Sequence, residues 1–186
     1  MALVRHEYGD FLCFLQERSP FPNIGVSLDF LRSIRDDPRM KEPMVRLARP
    51  ELTAEDIQNL DDGALRALAK DLRVFSNEDG KTEFAKYDDV TIPRTEWHAA
   101  IHQPPTTTTH VNICIVKPTT KDKACSYAML FRGDAAMVGA PTDFISHAWR
   151  YDFAALVDAI EAEADAHESP GGKRYYWNDI FVENQV

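Results

Sequence analysis

The sequence predicts an α/β fold in its C-terminal part, preceded by a mainly helical region. Residues 142–146 and 175–177 have the composition of short strands, and the segment between them has helical periodicity. A strand, a helix and a second strand in this order indicate a βαβ unit with two parallel strands. The preceding region shows a succession of amphipathic helical segments, which predicts helical packing there.

We divide the chain of 186 residues into three parts. Residues 1–103 form the helical region, residues 104–110 a linker, and residues 111–186 the α/β region. The linker is predicted from Pro104-Pro105 and the threonines that follow, because paired prolines are stiff and extended and threonine resists helix formation.

Caps and apolar stripes predict four helices in the N-terminal region. The second begins after the N-cap Ser27 and ends at Pro38, Thr53 with Asp56 forms a capping box for the third, and Asp61 opens the fourth. The first helix carries the stripe Val4, Tyr8, Phe11, Leu12, Leu15. The core positions expected in the others are Phe30, Leu31, Ile34, Leu65, Leu68, Ala69, Leu72. We expect residues 76–86, which are charged and contain glycine, to form a loop.

The segment before the βαβ unit is predicted to contain a short extended stretch followed by a helix. Val111–Val116 is short and β-branched, which predicts a strand or an extended lead-in. Pro118-Thr119 is expected to open another helix that carries Tyr127, Leu130 and Phe131, and glycines break up the loop that follows at positions 133 and 139.

In the βαβ unit, one helical face is apolar and the opposite face is acidic. The apolar face comprises Trp149, Phe153, Leu156, Val157, Ile160. The acidic face comprises Asp158, Glu161, Asp165. A stripe of this kind covers one face of a sheet, and residues 167–172 then turn the chain into the second strand.

Polar side chains follow both predicted strands. Ser146 and His147 follow the first, and Asn178 and Asp179 follow the second. In open α/β sheets, ligands lie outside the carboxyl ends of the strands. We therefore predict a nucleotide or ribose site at Ser146, His147 and Asp179, roofed partly by Trp149. The structural alternative is that these side chains cap and hydrogen-bond the strand ends.

Composition argues against several classes of partner. The net charge is −9 and the basic residues are scattered, so neither nucleic acid nor an anionic membrane surface is expected. No apolar run approaches the ~20 residues of a membrane helix, and the N-terminus lacks the pattern of a signal peptide. The three cysteines are not closely spaced, which is typical of core thiols. We expect a cytoplasmic protein.

Two groups of side chains have some features of a metal site. His98 and His102 would share one helical face, but the only candidate third ligand, His110, lies beyond the two prolines. Asp143, His147 and Asp179 could bind a divalent cation, although nothing in their spacing requires it. We therefore predict no metal.

The segment Asp143–Trp149, the amphipathic helix, and Tyr176-Trp177-Asn178-Asp179 together resemble the opening of a Toll/interleukin-1 receptor (TIR) domain. The resemblance is closer to the TIR-like module of algal and other protist proteins. It covers Lys117–Gln185, with Lys117-Pro118 and Cys125-Ser126-Tyr127 before the first strand and Asn184-Gln185 after the second.

This resemblance implies a partial flavodoxin-like fold and a role in intracellular signalling through TIR–TIR assembly. Some members of the family cleave NAD, and their catalytic glutamate lies on a helix well after the second strand. The resemblance therefore also implies NAD cleavage as an alternative activity. The match ends before that helix, so the βαβ unit is expected to be incomplete. Either the chain is a fragment or a truncated gene model, or the N-terminal helices or a partner complete its core.

The predicted function is accordingly a TIR-like protein-interaction module of a signalling or scaffold protein, without a complete catalytic apparatus. The first alternative is an NAD glycohydrolase, which would need a glutamate such as Glu161 or Glu183 and would bind NAD as its cofactor or substrate. Another nucleotide-binding hydrolase belongs with this alternative. A small-molecule hydrolase or a metal-dependent phosphotransferase on a flavodoxin-like core is the weakest alternative.

Overall fold

The computed structural model describes residues 23–74, 92–166 and 172–183. In this part the chain is mixed α/β, with many short helices and one four-stranded sheet. The predicted first helix and the predicted loop at residues 76–86 lie outside the described residues, as do Asn184 and Gln185.

Nine α-helical segments and four strands are present in the described ranges. The helices are α1 (Leu28–Arg35), α2 (Met44–Ala48), α3 (Ala54–Asn59), α4 (Asp62–Asp71), α5 (Arg94–Ile101), α6 (Thr108–Val111), α7 (Lys117–Thr120), α8 (Phe153–Ala166) and α9 (Asp179–Val182). The strands are β1 (Gly25–Ser27), β2 (Val138–Gly139), β3 (Asp143–Phe144) and β4 (Tyr175–Trp177). Single turns of 3-10 helix occupy Pro38–Lys41 and Ala128–Phe131, and Asn112–Val116 forms a π-helical turn. No helix among the described residues combines the length and the apolarity needed to cross a membrane.

The chain forms two compact units that are discontinuous in sequence. The described part of the first unit comprises residues 23–36, 119–147, 154–166 and 172–183, and it contains the sheet. The second unit comprises the described residues between 37 and 118 together with the loop 148–153. The predicted linker, residues 104–110, therefore lies within the second unit.

The sheet of the first unit has the strand order β2-β1-β4-β3. β1 pairs antiparallel with β2 and with β4, and β3 pairs parallel with β4. Parallel pairing of the two predicted strands is thus present. Because the other two pairings are antiparallel, the described sheet is mixed and mostly antiparallel.

The strand β1 is absent from the sequence-based prediction, although it lies in the middle of the sheet. It has only three residues, one of them Gly25, which is too short for a strand pattern to be recognised. Gly139 was expected in a loop but belongs to β2, where the ring of Tyr175 lies over it. A β-carbon at position 139 would come within 2.5 Å of that ring, so the contact requires glycine.

The predicted caps of the helices at Ser27, Thr53 and Asp61 are confirmed. The Ser27 hydroxyl accepts a hydrogen bond from the Phe30 amide at 3.1 Å. Thr53 and Asp56 form the capping box, and the Asp61 side chain accepts from the Ala64 amide. All seven predicted core positions of these helices are buried. Local capping chemistry was therefore a dependable signal in this region.

An aromatic cluster forms part of the core of the first unit. The ring of Phe30 packs edge-on against Tyr127, Phe131 and Phe181, with ring centroids 5.1–5.9 Å apart. Edge-to-face pairs of this kind stabilise beyond the area that they bury. The cluster joins α1, the 3-10 turn at Ala128–Phe131, and α9.

In the second unit, one arginine ties α5 to the α3–α4 connection. The Arg94 guanidinium donates to the carboxylate of Asp62 at 2.7 Å and to the carbonyls of Gln58 and Leu60 at 3.0 and 2.5 Å. Trp97 and Ile101 on the same helix are buried, so α5 packs through an apolar face.

The strand or extended lead-in predicted at Val111–Val116 is wrong, because these residues continue a helical stretch from Thr108 to Thr120. Val111, Cys114 and Ile115 are buried at helical spacing, whereas the prediction weighed only their β-branched composition. The helix predicted to open at Pro118-Thr119 is α7, which begins at Lys117 directly after the π-helical turn and ends at Thr120, so it does not carry Tyr127, Leu130 and Phe131.

Candidate functional site

The predicted site begins where β3 and β4 end. Asp143 pairs with Tyr176 and Phe144 with Trp177, and the Ile145 amide donates to the Trp177 carbonyl at 3.0 Å. Because the two strands are parallel, the residues that follow them emerge at the same edge of the sheet. The parallel register therefore brings the segments 146–147 and 178–179 to one edge.

The four predicted site residues differ in exposure and in location. Ser146 is exposed, whereas His147 and Asp179 are half-buried. These three belong to the first unit, and electrostatic interaction between the His147 imidazole and the Asp179 carboxylate indicates that the two side chains are close. Trp149 belongs to the second unit and is 38% exposed. The strand-end group is therefore Ser146, His147 and Asp179.

Burial shifts the pKa of two side chains near the strand ends, His147 and Glu183. It lowers the pKa of His147 by disfavouring the imidazolium, and the Asp179 carboxylate opposes that shift. Burial and the same carboxylate raise the pKa of Glu183. His147 and Glu183 each interact electrostatically with Asp179, so the three side chains form one electrostatically linked cluster.

Asn178 was recognised at the end of the second strand but was not included in the predicted site. It is fully buried, and its Oδ1 accepts from the Ile180 amide at 3.2 Å, which caps α9. Its Nδ2 and the buried Nε2 of His147 have no hydrogen-bond partner among the described residues. Asn178 thus acts as a cap at the end of β4, and the spacing of residues in the sequence could not show that its Nδ2 lacks a partner among the described residues.

The two glutamates considered for catalysis have different surroundings. The Glu161 carboxylate accepts from Arg32 at 2.6 Å and from Arg35 at 3.3 Å, and these arginines lower its pKa. It is therefore engaged as a surface ion pair. Glu183 interacts electrostatically with Asp179, which makes it the glutamate linked to the strand-end group.

The Asp143 carboxylate is engaged in ion pairing with an arginine. Its two carboxylate oxygens accept from Arg174 at 2.6 and 3.0 Å, and the same guanidinium donates to Glu163 at 2.5 Å. We call these three residues the ion triad, and all of their side chains are at most 15% exposed. Because Arg174 already occupies both oxygens, Asp143 is unsuited to hold a cation with His147 and Asp179.

The histidine pair has the predicted helical geometry. The rings of His98 and His102 stack with centroids 6.3 Å apart, and Nδ1 of His102 lies 2.7 Å from the His98 carbonyl. His110 is buried, where its Nδ1 faces the amides of Thr106 and Thr107. Within residues 23–74, 92–166 and 172–183, no three acidic, histidine or cysteine side chains come together as a metal site.

Buried histidines make the stability of the fold sensitive to mild acid. Burial lowers the pKa of both His110 and His147 below the unfolded value of about 6.5. The unfolded chain then binds more protons, so the free energy of unfolding should fall as pH drops through about 6.5 and below. Urea unfolding at about pH 7.5 and about pH 5.5 measures this. His147→Gln should reduce the difference. If the free energy of unfolding changed equally with pH in H147Q and in the unsubstituted protein, the prediction would be contradicted.

A second feature missed by the sequence analysis is a set of exposed aromatic side chains. Phe144 is 45% exposed and stacks on Trp177, with ring centroids 5.0 Å apart, on the edge strand of the first unit. In the second unit, Trp149 and Tyr151 are 38% and 41% exposed. Trp149 was predicted to roof the strand ends and Phe144 to be a strand residue, so their exposure was not anticipated.

The chain was compared with protein families, curated proteins and solved structures. No protein family, no curated protein and no solved structure matches it. The TIR-like resemblance therefore stays a prediction from the residues that carry it.

Proposed function

We propose that this chain is a protein-interaction module that acts through the loop 148–153, which we call the docking loop. The proposal rests on the positions of the exposed large apolar side chains. In the described part of the second unit they are Trp149 and Tyr151, two positions apart in this loop. Exposed apolar side chains concentrated in this way mark interaction sites on proteins.

The composition of the docking loop supports this proposal. Its tip reads Trp149-Arg150-Tyr151, and these are the three residue types most enriched at the energetic centres of protein interfaces. Aromatic rings supply a large contact area with few rotatable bonds, and a guanidinium binds carboxylates with two parallel hydrogen bonds.

The partner that we propose is a second copy of this chain. The chain has 30 acidic and 21 basic residues, so a second copy offers carboxylates in excess to arginine side chains at a contact. Ion pairing of this kind should weaken as salt is added. The TIR-like resemblance of Lys117–Gln185 supports the same proposal, because it implies assembly between like modules in intracellular signalling. Its flavodoxin-like component would be confined to β3, α8 and β4, since β1 is antiparallel to its neighbours.

Replacing both aromatic residues of the docking loop should abolish self-association. Truncating an interface residue of this type typically costs about 2 kcal/mol or more, which is roughly a thirtyfold change in Kd for each site. Analytical ultracentrifugation over a wide range of concentrations compares the unsubstituted chain with W149A/Y151A. R66A is the control, since Arg66 is exposed on α4 of the same unit.

Two results would overturn this proposal. A strictly monomeric unsubstituted chain at every concentration would exclude a second copy as the partner. Equal association by W149A/Y151A and the unsubstituted chain would exclude the docking loop as the contact.

A nucleotide-binding enzyme is the second candidate, and one observation favours it. The linked cluster His147, Asp179 and Glu183 lies at the carboxyl ends of two parallel strands, where α/β folds bind nucleotides. If the chain cleaves NAD, incubation should release nicotinamide, and Glu183→Gln should stop the release while Glu161→Gln should not. Absence of nicotinamide at high protein concentration would remove this candidate.

A further inference from the structure

The backbone of the docking loop is held by the start of helix α6. The Thr107 hydroxyl caps this helix by accepting from the His110 amide at 3.2 Å. Thr108 and Thr109 are then its first residues, and amides at that position have no acceptor within the helix. The Thr108 amide donates to the Tyr151 carbonyl at 3.1 Å, and the Thr109 amide donates to the Trp149 carbonyl at 2.6 Å. The docking loop therefore supplies the acceptors that this helix start requires.

The side chains of the same threonines add to this connection. The Thr109 hydroxyl donates to the Trp149 carbonyl at 2.7 Å, and the Thr108 hydroxyl donates to the same oxygen. Three donors thus converge on one carbonyl. Thr108 is fully buried, so its hydroxyl would be costly to leave without an acceptor.

The far end of the docking loop is fixed as well. The Phe153 amide donates to the Thr106 carbonyl at 2.8 Å, and Thr107 forms an antiparallel bridge with Asp152. Within the loop, the Tyr151 amide donates to the Ala148 carbonyl at 2.8 Å. Both ends and the middle of the loop are therefore tied, while the side chains of Trp149 and Tyr151 stay substantially exposed.

We propose that Thr108 and Thr109 are positioning residues that pre-form the docking loop, so that a partner meets Trp149 and Tyr151 already in place. A loop ordered before binding avoids most of the entropy lost when a flexible segment is immobilised on contact. The threonine run, which was predicted to be a linker, thereby acquires a specific role. This inference rests on the proposed function for its binding consequence, but its structural part can be tested without any partner.

The test is hydrogen–deuterium exchange on the double variant T108V/T109V. Valine keeps the branched shape and removes only the hydroxyl, and the amide of Thr109 still reaches the Trp149 carbonyl. Two lost hydrogen bonds should speed exchange of the Tyr151 and Phe153 amides by about tenfold or more. T95V is the matched control, because Thr95 is exposed on α5 of the same unit. Exchange of the α4 amides should be unchanged in both variants, which shows that the unit stays folded.

The same variants are then tested for self-association. T108V/T109V should weaken it by about tenfold, mainly through slower association, since the loop must be ordered first. Unchanged exchange in the loop would overturn the role of the hydroxyls. Faster exchange with unaltered association would overturn the requirement for a pre-formed loop. If the unsubstituted chain is monomeric, the proposed function fails, and the exchange measurement still decides whether the threonines hold the loop.

Discussion

Replacing Arg174 by methionine is expected to lower the free energy of unfolding by about 3–5 kcal/mol, because it leaves two poorly solvated carboxylates without their common partner. The Arg174, Asp143 and Glu163 side chains of the ion triad are 9%, 14% and 15% exposed. The two carboxylates hold the pKa of Arg174 above its ordinary value, so the arginine stays charged at any pH at which the protein is folded. Urea unfolding of R174M against the unsubstituted chain measures the loss.

The ion triad has a stringent set of controls. In D143L/E163M/R174M all three charges are removed together, and apolar replacement of a whole buried ion group is often neutral or stabilising. We therefore expect this triple variant to recover most of the stability lost in R174M. R49M removes an arginine that is 46% exposed and paired with Glu51 and Asp71, and it should cost less than about 1 kcal/mol. A loss in R174M as small as that in R49M would contradict the importance of the triad.

Phe30→Ala is expected to have an effect of similar size, about 3–5 kcal/mol, because it removes a fully buried ring from the aromatic cluster and leaves a cavity. Three rings contact Phe30 edge-on, from the 3-10 turn and from α9, so their edge-to-face contacts are lost with it. Thermal and urea unfolding measure the change.

The chain offers a matched control for this substitution. Phe144 has the same side chain in the same unit, but it is 45% exposed, so F144A should cost less than about 1 kcal/mol. F30L keeps most of the apolar volume, so its free energy of unfolding should fall clearly less than that of F30A. Equal losses of unfolding free energy in F30A and F144A would show that the aromatic cluster contributes no more to stability than a surface contact does.

Local signals predicted the fold where the chemistry is local. The caps at Ser27, Thr53 and Asp61 and the helix face of Phe30, Leu31 and Ile34 follow from hydrogen bonds and periodicity within a few residues. The parallel pairing of the two C-terminal strands followed from a strand–helix–strand order, and that pairing is present. The long-range organisation of the chain was not predicted.

Three features could not be read from the sequence because each depends on a partner distant in the chain. β1 has three residues and is defined by its neighbours β2 and β4. The threonine run has the composition of a linker, and its hydrogen bonds to the docking loop join residues about forty positions apart. At the candidate site, spacing placed His147 and Asp179 at one edge, but the burial of Asn178 and the ion pairing of Asp143 and Glu161 depend on packing.

The position of β1 has a consequence during synthesis on the ribosome. Its partner Tyr176 is among the last residues of the described chain to be made, whereas Val26 is among the first. Pairing between such distant segments requires a large loop to close and is therefore slow. Before translation has passed Tyr176, β1 can pair with β2 only, and the edge of β1 that β4 covers in the folded sheet should stay exposed on the nascent chain until then.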